Sequence, residues 1–246
     1  MSRLLLHVDS LAATPDELVG LPVPPATETW QPISHDAFDR LVRATIEDAG
    51  IEVHRVEYGL SRPTEEGYRH RLFGIYHTKN DILPGEAKAT IGLRNSTDQS
   101  LSAGLVFGSA IFVCDNLAFA GQFVIKRRHT KRILDDLPGL VRQGIAHFED
   151  HVGAQKELFE RLKQAAIVNS QAHDLLVRAA ASGVISFAGI RKVRKEWIAP
   201  SHEAFKERNA WSLYNAFTEV AKEYKPISHS QRTLVLTGLF RRVFLN

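Results

Sequence analysis

The sequence predicts an α+β fold in which an antiparallel sheet with an N-terminal helix is followed by a helical C-terminal half. Three observations indicate this class. Residues 35–50 have the apolar spacing of a helix, residues 51–130 contain short aromatic and β-branched runs separated by turn signals, and helical spacing returns after Asp135. We expect one continuous domain with three parts, namely an irregular lead-in (1–34), an α+β sheet region (35–134) and a helical region packed on the sheet (135–246).

The lead-in carries five prolines from Pro15 to Pro32 and is expected to be extended and mostly irregular, with Trp30 anchoring it to the body. Ser34 or His35 opens the first helix, whose apolar residues recur at helical spacing, and Gly50 ends it. The strand pattern then covers residues 51–60, 68–78, 87–96 and 121–130. Residues 101–119 are apolar throughout, so periodicity leaves a buried strand and a helix pair equally open.

The helical half is predicted as one long helix over about 137–167, a second over about 170–183, a third over 209–224 and a last element over 228–244. Gly144 and Gly153 weaken the long helix locally.

Composition narrows the class of protein without indicating a reaction. The chain has 246 residues, 44% hydrophobic and 24% charged, which is typical of a globular protein. The single cysteine, Cys114, is incompatible with an internal disulfide framework and is expected to be buried and structural. The N-terminal apolar run is too short for a signal peptide, and we expect a cytoplasmic protein without a membrane partner. Phosphate-loop, dinucleotide-binding, kinase and serine-hydrolase motifs do not occur, and we expect no cofactor and no catalytic residue.

Positive charge is concentrated in two short segments. The net charge is +3, but the first sixty residues sum to −6 and residues 61–134 to +5. Such clusters are solvated helix ends in one interpretation and phosphate contacts in the other. We predict nucleic-acid contacts at Lys126, Arg127, Arg128, Lys131, Arg132, Arg191, Lys192, Arg194 and Lys195.

Further candidates lie outside these clusters. Arg94 opens a dense polar run, Arg94 to Ser100, that could build hydrogen-bonded turns or present the arginine to a phosphate. Tyr58, Tyr68 and Tyr76 are candidates for stacking on bases, although core packing would explain tyrosines there as well.

Two patterns in the sequence are similar to metal sites. His147 and His151 have the spacing of a metal pair without an evident third ligand. Asp81, Glu86 and Lys88 are similar to a metal-dependent nuclease motif, although a solvated hairpin turn explains them as well. We therefore predict no metal site.

Four blocks carry a resemblance to a known family. IGLRNSTDQS, FVCDNLAFAG, RRHT and NAWSLYNAFTEV, within about residues 88–225, resemble the ordered blocks of the phage- and plasmid-borne family filed as domain of unknown function 932. The resemblance implies a role in viral or plasmid DNA metabolism, and it brings no established reaction or catalytic residue.

Two classes of function remain open at this point. The first is a nucleic-acid-binding protein of a phage or mobile element, with single-stranded DNA as its ligand, such as a single-strand annealing or recombination accessory that works as a homo-oligomer. The alternative is a protein-interaction factor that acts on a host enzyme or defence system. A third hypothesis is a Mg²⁺-dependent nuclease that uses Asp81, Glu86 and Lys88.

Overall fold

The computed structural model describes residues 10–111, 116–119, 125–224 and 226–245. Its strands are β1 (Ser10–Ala13), β2 (Val53–Ser61), β3 (Arg71–Leu83), β4 (Ala87–Ser96), β5 (Ala103–Ile111), β6 (Asn116–Phe119) and β7 (Ile125–Arg127). Its helices are α1 (His35–Asp48), α2 (Ile133–Ala146), α3 (Phe148–Gln164), α4 (Asn169–Ala181), α5 (Gly189–Ile198), α6 (Ala210–Ala221) and α7 (Pro226–Phe244). Short 3₁₀ turns cover Asp16–Leu18 and Glu203–Phe205. The predicted α+β class is confirmed, with helices following the sheet.

The strands form one seven-stranded sheet, in which six follow the order β1-β2-β3-β4-β5-β6. The seventh, β7, pairs with residues 103–105 of β5, and β6 pairs with residues 108–111 of the same strand. The pairs β1/β2, β2/β3, β5/β6 and β5/β7 are antiparallel. From β1 to β6, neighbouring strands in the chain are neighbours in the sheet, which is the arrangement that short turn-separated strands favour, whereas β7 pairs with β5.

Helix α1 forms where the sequence predicts it. The Ser34 side chain accepts a hydrogen bond from the Ala37 N–H at 3.1 Å, which satisfies one of the free amides of the first turn. Phe38, Val42 and Ile46 are buried and lie three to four residues apart on one face. The helix thus begins at its cap and buries its apolar stripe.

We expect Ser34→Ala to lower the free energy of unfolding by about 1 kcal/mol, because the Ala37 N–H loses its acceptor. Urea unfolding followed by circular dichroism measures the change. Ser34→Asp supplies another capping oxygen and is the matched control. Equal destabilisation by both variants would contradict the capping role.

Three features differ from the sequence prediction, and one alternative that it left open is now decided. The apolar stretch 101–119 forms β5 and β6, with residues 112–115 and Cys114 outside the described residues. The long helix is interrupted at His147, three residues after Gly144, and so becomes α2 and α3. Helix α5 was not predicted; only Val193 and Trp197 mark its buried face, because it is short. The lead-in contributes β1, which pairs with the far half of β2.

The chain divides into two compact units. The first comprises residues 1–80, 89–107 and 122–151, and the second comprises 81–88, 108–121 and 152–246. No described helix is both long enough and apolar enough to cross a membrane.

A buried polar group joins α1 to the sheet in the first unit. Asp39, which is 4% exposed, accepts hydrogen bonds from the hydroxyls of Tyr58, at 2.6 Å, and Tyr76. Arg43 adds an ion pair to Asp39 at 2.8 Å. Burial raises the pKa of Tyr76, and the nearby Asp39 and Tyr58 raise it further, so every cause of the shift keeps that hydroxyl protonated as a donor.

Aromatic packing dominates the second unit. Tyr214 on α6 stacks on Trp211 with ring centroids 5.9 Å apart and meets Phe240 of α7 edge-on at 5.2 Å. Phe159 of α3 lies 4.6 Å from Trp211. These contacts tie three helices together, and the block NAWSLYNAFTEV therefore supplies core packing.

Candidate nucleic-acid interface

The first basic cluster, residues 126–132, is called here the cationic segment. It begins in β7, where Lys126 pairs with Gly104 of β5 and Ile125 is buried beneath the strand. The side chains of Lys126, Arg128, Lys131 and Arg132 are exposed. In the part of the chain that the structure describes, none of these four forms an ion pair. Four positive charges within seven residues therefore face solvent.

Arg127 has a different role from its neighbours. Its guanidinium donates to Asp136 Oδ2 of α2 at 2.6 Å and to Thr130 Oγ1 at 3.0 Å, and the side chain is half-buried. The prediction that Arg127 contacts phosphate is therefore not supported by the geometry. Arg127 instead fixes the turn between β7 and α2.

His129 anchors the cationic segment from beneath. Its side chain is buried, and Nε2 lies 2.8 Å from Asn95 Oδ1 at the end of β4. Asn95 Nδ2 donates to the Ile33 carbonyl at 3.0 Å and lies 3.0 Å from His35 Nδ1. We call this chain of contacts the His35–Asn95–His129 relay.

Hydrogen-bond directions assign one protonation pattern to the relay. A carbonyl only accepts, so the Asn95 NH₂ group must face Ile33 and His35, and its carbonyl oxygen must face His129. His35 then accepts at Nδ1 and donates from Nε2 to the Arg69 carbonyl, 2.8 Å away. His35 must therefore be neutral, because a proton on its Nδ1 would face the Asn95 N–H, and His129 donates from Nε2 to the Asn95 carbonyl oxygen.

The pKa values agree with this pattern. Burial lowers the pKa of His35 to about 4, and the positive charges that His70 and His129 would carry act in the same direction. The Arg69 carbonyl and Asp98 oppose the shift. Burial also lowers the pKa of His129. The hydrogen bonds that hold the cationic segment thus join uncharged groups, and each has an assigned donor and acceptor.

The lead-in also holds the cationic segment. Trp30 forms an isolated bridge with Thr130, and the Gln31 N–H donates to the His129 carbonyl at 3.0 Å. The prediction that Trp30 anchors the lead-in is confirmed. Residues 129–130 are therefore held both by β4, through Asn95, and by the lead-in. This restricts the directions in which the neighbouring lysines and arginines of the cationic segment point.

Arg94 lies on β4 and is half-buried. Its Nη2 donates to Ser102 Oγ at 3.2 Å, and burial lowers its pKa. The following polar run builds the β4–β5 turn, since Ser96 Oγ accepts from the Leu101 N–H at 2.9 Å and Asp98 Oδ1 accepts from the Ser100 N–H at 2.9 Å. The turn interpretation of these residues is confirmed.

The second basic cluster lies on α5 and belongs to the second unit. Arg191, Lys192, Arg194 and Lys195 are all exposed, while Val193 and Trp197 are buried on the opposite side of the helix. Lys192 forms an ion pair with Glu223. The cationic segment, in contrast, belongs to the first unit.

Two of the three tyrosines predicted to stack on bases are core residues. Tyr58 and Tyr76 are 2% and 1% exposed and donate to Asp39, so their rings pack in the core and present no exposed face to a base. Tyr68 is half-buried and stacks on His70 with ring centroids 5.3 Å apart. It is the predicted stacking residue whose ring retains exposed surface.

The residues of the two metal-site patterns contact other side chains. Asp81 lies 3.6 Å from Lys88, and Glu86 forms an ion pair with Lys163. His147 faces Asp150, whereas the His151 ring packs 5.2 Å from Phe107. Throughout the described ranges, no group of three metal-binding side chains occurs. The arrangement does not favour the nuclease or metal-pair hypotheses.

Sequence reasoning missed the relay and the Asp39 group. Their residues lie on different elements, and nothing in the local pattern joins position 35 to 95 or to 129. One signal was available: His35, Asp39 and Asn95 are polar residues at positions that the apolar periodicity assigns to the core.

Comparison with known protein families adds one finding. The family model described as domain of unknown function (DUF932) matches residues 26–241. The chain belongs to this family. No curated protein and no solved structure matches the chain. The DUF932 region includes α1, the relay, both basic clusters and nearly all of α7, but not β1.

Proposed function

We propose that this DUF932 protein binds nucleic acid through the cationic segment, with single-stranded DNA as the ligand. The observation that carries the proposal is the set of four exposed cations, Lys126, Arg128, Lys131 and Arg132, which form no ion pair with any residue that the structure describes. Their backbone is fixed by the relay and by the Trp30–Thr130 bridge. Lys and Arg that neutralise phosphates release counterions, and this release drives binding that does not depend on sequence.

The fixed backbone of the cationic segment favours a binding role for its exposed lysines and arginines over a role in solubility alone. A flexible cationic loop loses conformational entropy when it meets a phosphate chain, whereas a segment with buried anchors has already lost it. Within the DUF932 family, we propose an accessory of single-strand annealing or recombination on a mobile element, working as a homo-oligomer. Proteins that bind single strands without sequence preference follow the backbone with a positively charged groove.

Charge reversal at the four residues tests the proposal. We expect Lys126→Glu, Arg128→Glu, Lys131→Glu and Arg132→Glu together to weaken binding of a fluorescent single-stranded oligonucleotide by at least about 100-fold at low salt. For the wild type, the plot of log K against log salt should have a slope of magnitude about 3, because four phosphate contacts each contribute about 0.7 on a single strand. Fluorescence anisotropy over a salt series measures both quantities, and a duplex of equal length measures strand preference.

The matched control reverses four exposed cations elsewhere, Arg40, Lys156, Arg178 and Lys206, and so makes the same change in net charge. We expect this variant to keep most of the affinity. Equal losses in both variants, or no binding by the wild type at low salt, would refute the cationic segment as the interface.

A further inference from the structure

A β-bulge in β2 brings four polar side chains together at one face of the sheet. Val53 pairs with Thr78 but Arg55 pairs with His77, so His54 is the extra residue. A bulge redirects side chains relative to a regular strand. The His54 ring accordingly lies 6.0 Å from the His77 ring, while Arg55 reaches Glu57 on the same face.

Glu57 orients His77. Glu57 Oε1 and His77 Nε2 are 2.9 Å apart, and the two side chains are only 7% and 10% exposed. An ionised carboxylate only accepts hydrogen bonds, so His77 donates from Nε2, and the lone pair of the neutral imidazole is then at Nδ1. An imidazole with this tautomer and an adjacent carboxylate is arranged as a general base.

Arg55 and His54 extend the group toward solvent. The Arg55 guanidinium pairs with Glu57 while its side chain remains 52% exposed, and His54 is exposed as well. The four residues thus provide a buried base with its orienting carboxylate, a cation, and a second imidazole that solvent can reach.

Thr90 lies beside this group on the next strand. Two contacts across β3 and β4 set their register: the Thr97 N–H donates to the His70 carbonyl at 2.9 Å, and Thr78 Oγ1 donates to the Ala89 carbonyl at 2.9 Å. This register places Thr90 next to His77. The Thr90 side chain is fully buried, and its hydroxyl has no hydrogen-bond partner among the residues that the structure describes. A buried hydroxyl without a partner costs free energy, and a polar group that reached it would remove this cost.

We propose that His54, Arg55, Glu57 and His77 form a site that cleaves RNA by general acid–base transesterification. RNA carries its own nucleophile, the 2′-hydroxyl beside each phosphate, so a site needs only to move two protons and to stabilise the charge at phosphorus. The group contains a base, an acid and a cation but a single carboxylate, which suits this chemistry better than two-metal catalysis, where several carboxylates hold the ions.

The step balances without a co-reactant. His77 Nδ1 takes the proton of the 2′-hydroxyl as O2′ attacks the adjacent phosphorus. The P–O2′ bond forms and the P–O5′ bond breaks. Protonated His54 gives its proton to the leaving O5′, while Arg55 stabilises the negative charge on the non-bridging oxygens. The products are a 2′,3′-cyclic phosphate and a free 5′-hydroxyl, and solvent exchange restores both imidazoles.

The inference rests on the proposed function for strand affinity, but its residues are different from those of the cationic segment. The test substrate is a fluorescent single-stranded DNA oligonucleotide with one central ribonucleotide, incubated with the full chain in excess EDTA. We expect cleavage after the ribonucleotide with a 2′,3′-cyclic phosphate end, and no cleavage of the all-DNA strand. His77→Ala and His54→Ala should each lower the rate by about 10²- to 10⁴-fold.

His54→Ala keeps the test valid if His77→Ala misfolds, because His54 is exposed. His173→Ala, which removes an exposed histidine on α4, is the matched control and should cleave at the wild-type rate. Binding of the oligonucleotide without cleavage would overturn the inference and leave the proposed function standing. Cleavage that survives both histidine changes, or that EDTA abolishes, would also overturn it. Loss of binding on reversing the cationic segment, with cleavage retained at saturating substrate, would support both proposals.

Discussion

Replacing Asp39 by alanine is expected to lower the free energy of unfolding by about 3 kcal/mol. The substitution removes the acceptor of two buried tyrosine hydroxyls and the partner of Arg43. Removing one member of a buried charged group costs about 3–5 kcal/mol in other proteins. The lower end applies here, because Arg43 is 39% exposed and water can solvate it after the change.

Chemical unfolding at neutral pH measures this loss, with Asp36→Ala as the matched control on the same helix. Asp36 pairs with Arg40 at 2.8 Å, but Arg40 is 70% exposed, so this change should cost less than about 1 kcal/mol. Asp39→Leu combined with Tyr58→Phe and Tyr76→Phe should recover much of the stability, since no buried hydroxyl is then left without an acceptor and water can solvate the partly exposed Arg43. A loss in Asp39→Ala no larger than that in Asp36→Ala would show that the buried group contributes little.

Acidification is expected to destabilise the fold by about 3 kcal/mol between pH 7 and pH 4 through His35 alone. Its pKa is lowered from 6.5 to about 4 in the folded protein, and each unit corresponds to about 1.4 kcal/mol. Below pH 6.5, His35 binds a proton in the unfolded chain but stays neutral in the folded chain until the pH nears 4. The free energy of unfolding therefore falls as the pH falls toward 4. The lowered pKa of His129 acts in the same direction.

Unfolding curves at several pH values check this prediction in the wild type, in His35→Gln and in His173→Gln. The His35 variant should be less stable at pH 7 because the relay is broken, yet it should lose about 3 kcal/mol less on acidification. The exposed His173 should leave the pH dependence unchanged. His229, whose pKa burial lowers to about 4, contributes the same slope to all three proteins. Parallel curves for the wild type and His35→Gln would contradict the assignment.

Local physics explains which parts of the fold were predictable. Helix α1 could be derived because Ser34, the apolar spacing and Gly50 all lie within seventeen residues. Strands β2, β3 and β4 followed from alternation and turn residues for the same reason. Helix α5 has only ten residues and two buried apolar side chains other than glycine, so its periodic signal was too short to recognise.

The candidate site was predictable only in its charges. Lys126, Arg128, Lys131 and Arg132 are visible in the sequence because they are consecutive or nearly so. The different role of Arg127 depends on Asp136, and that of Tyr58 on Asp39, partners that only the folded chain brings within reach. Burial and partner identity are tertiary properties, and spacing along the chain does not encode them.

The bridge between Trp30 and Thr130 also has a consequence for folding during synthesis. It closes a loop of a hundred residues, and the contacts of His129 with Asn95 and of Asn95 with His35 close further long loops. Long-range contacts of this kind form late, because loop closure costs entropy before any contact compensates for it. On the ribosome, the lead-in and most of the sheet must therefore have emerged before the cationic segment can take its final shape. A nascent chain shorter than about 130 residues cannot contain the complete surface.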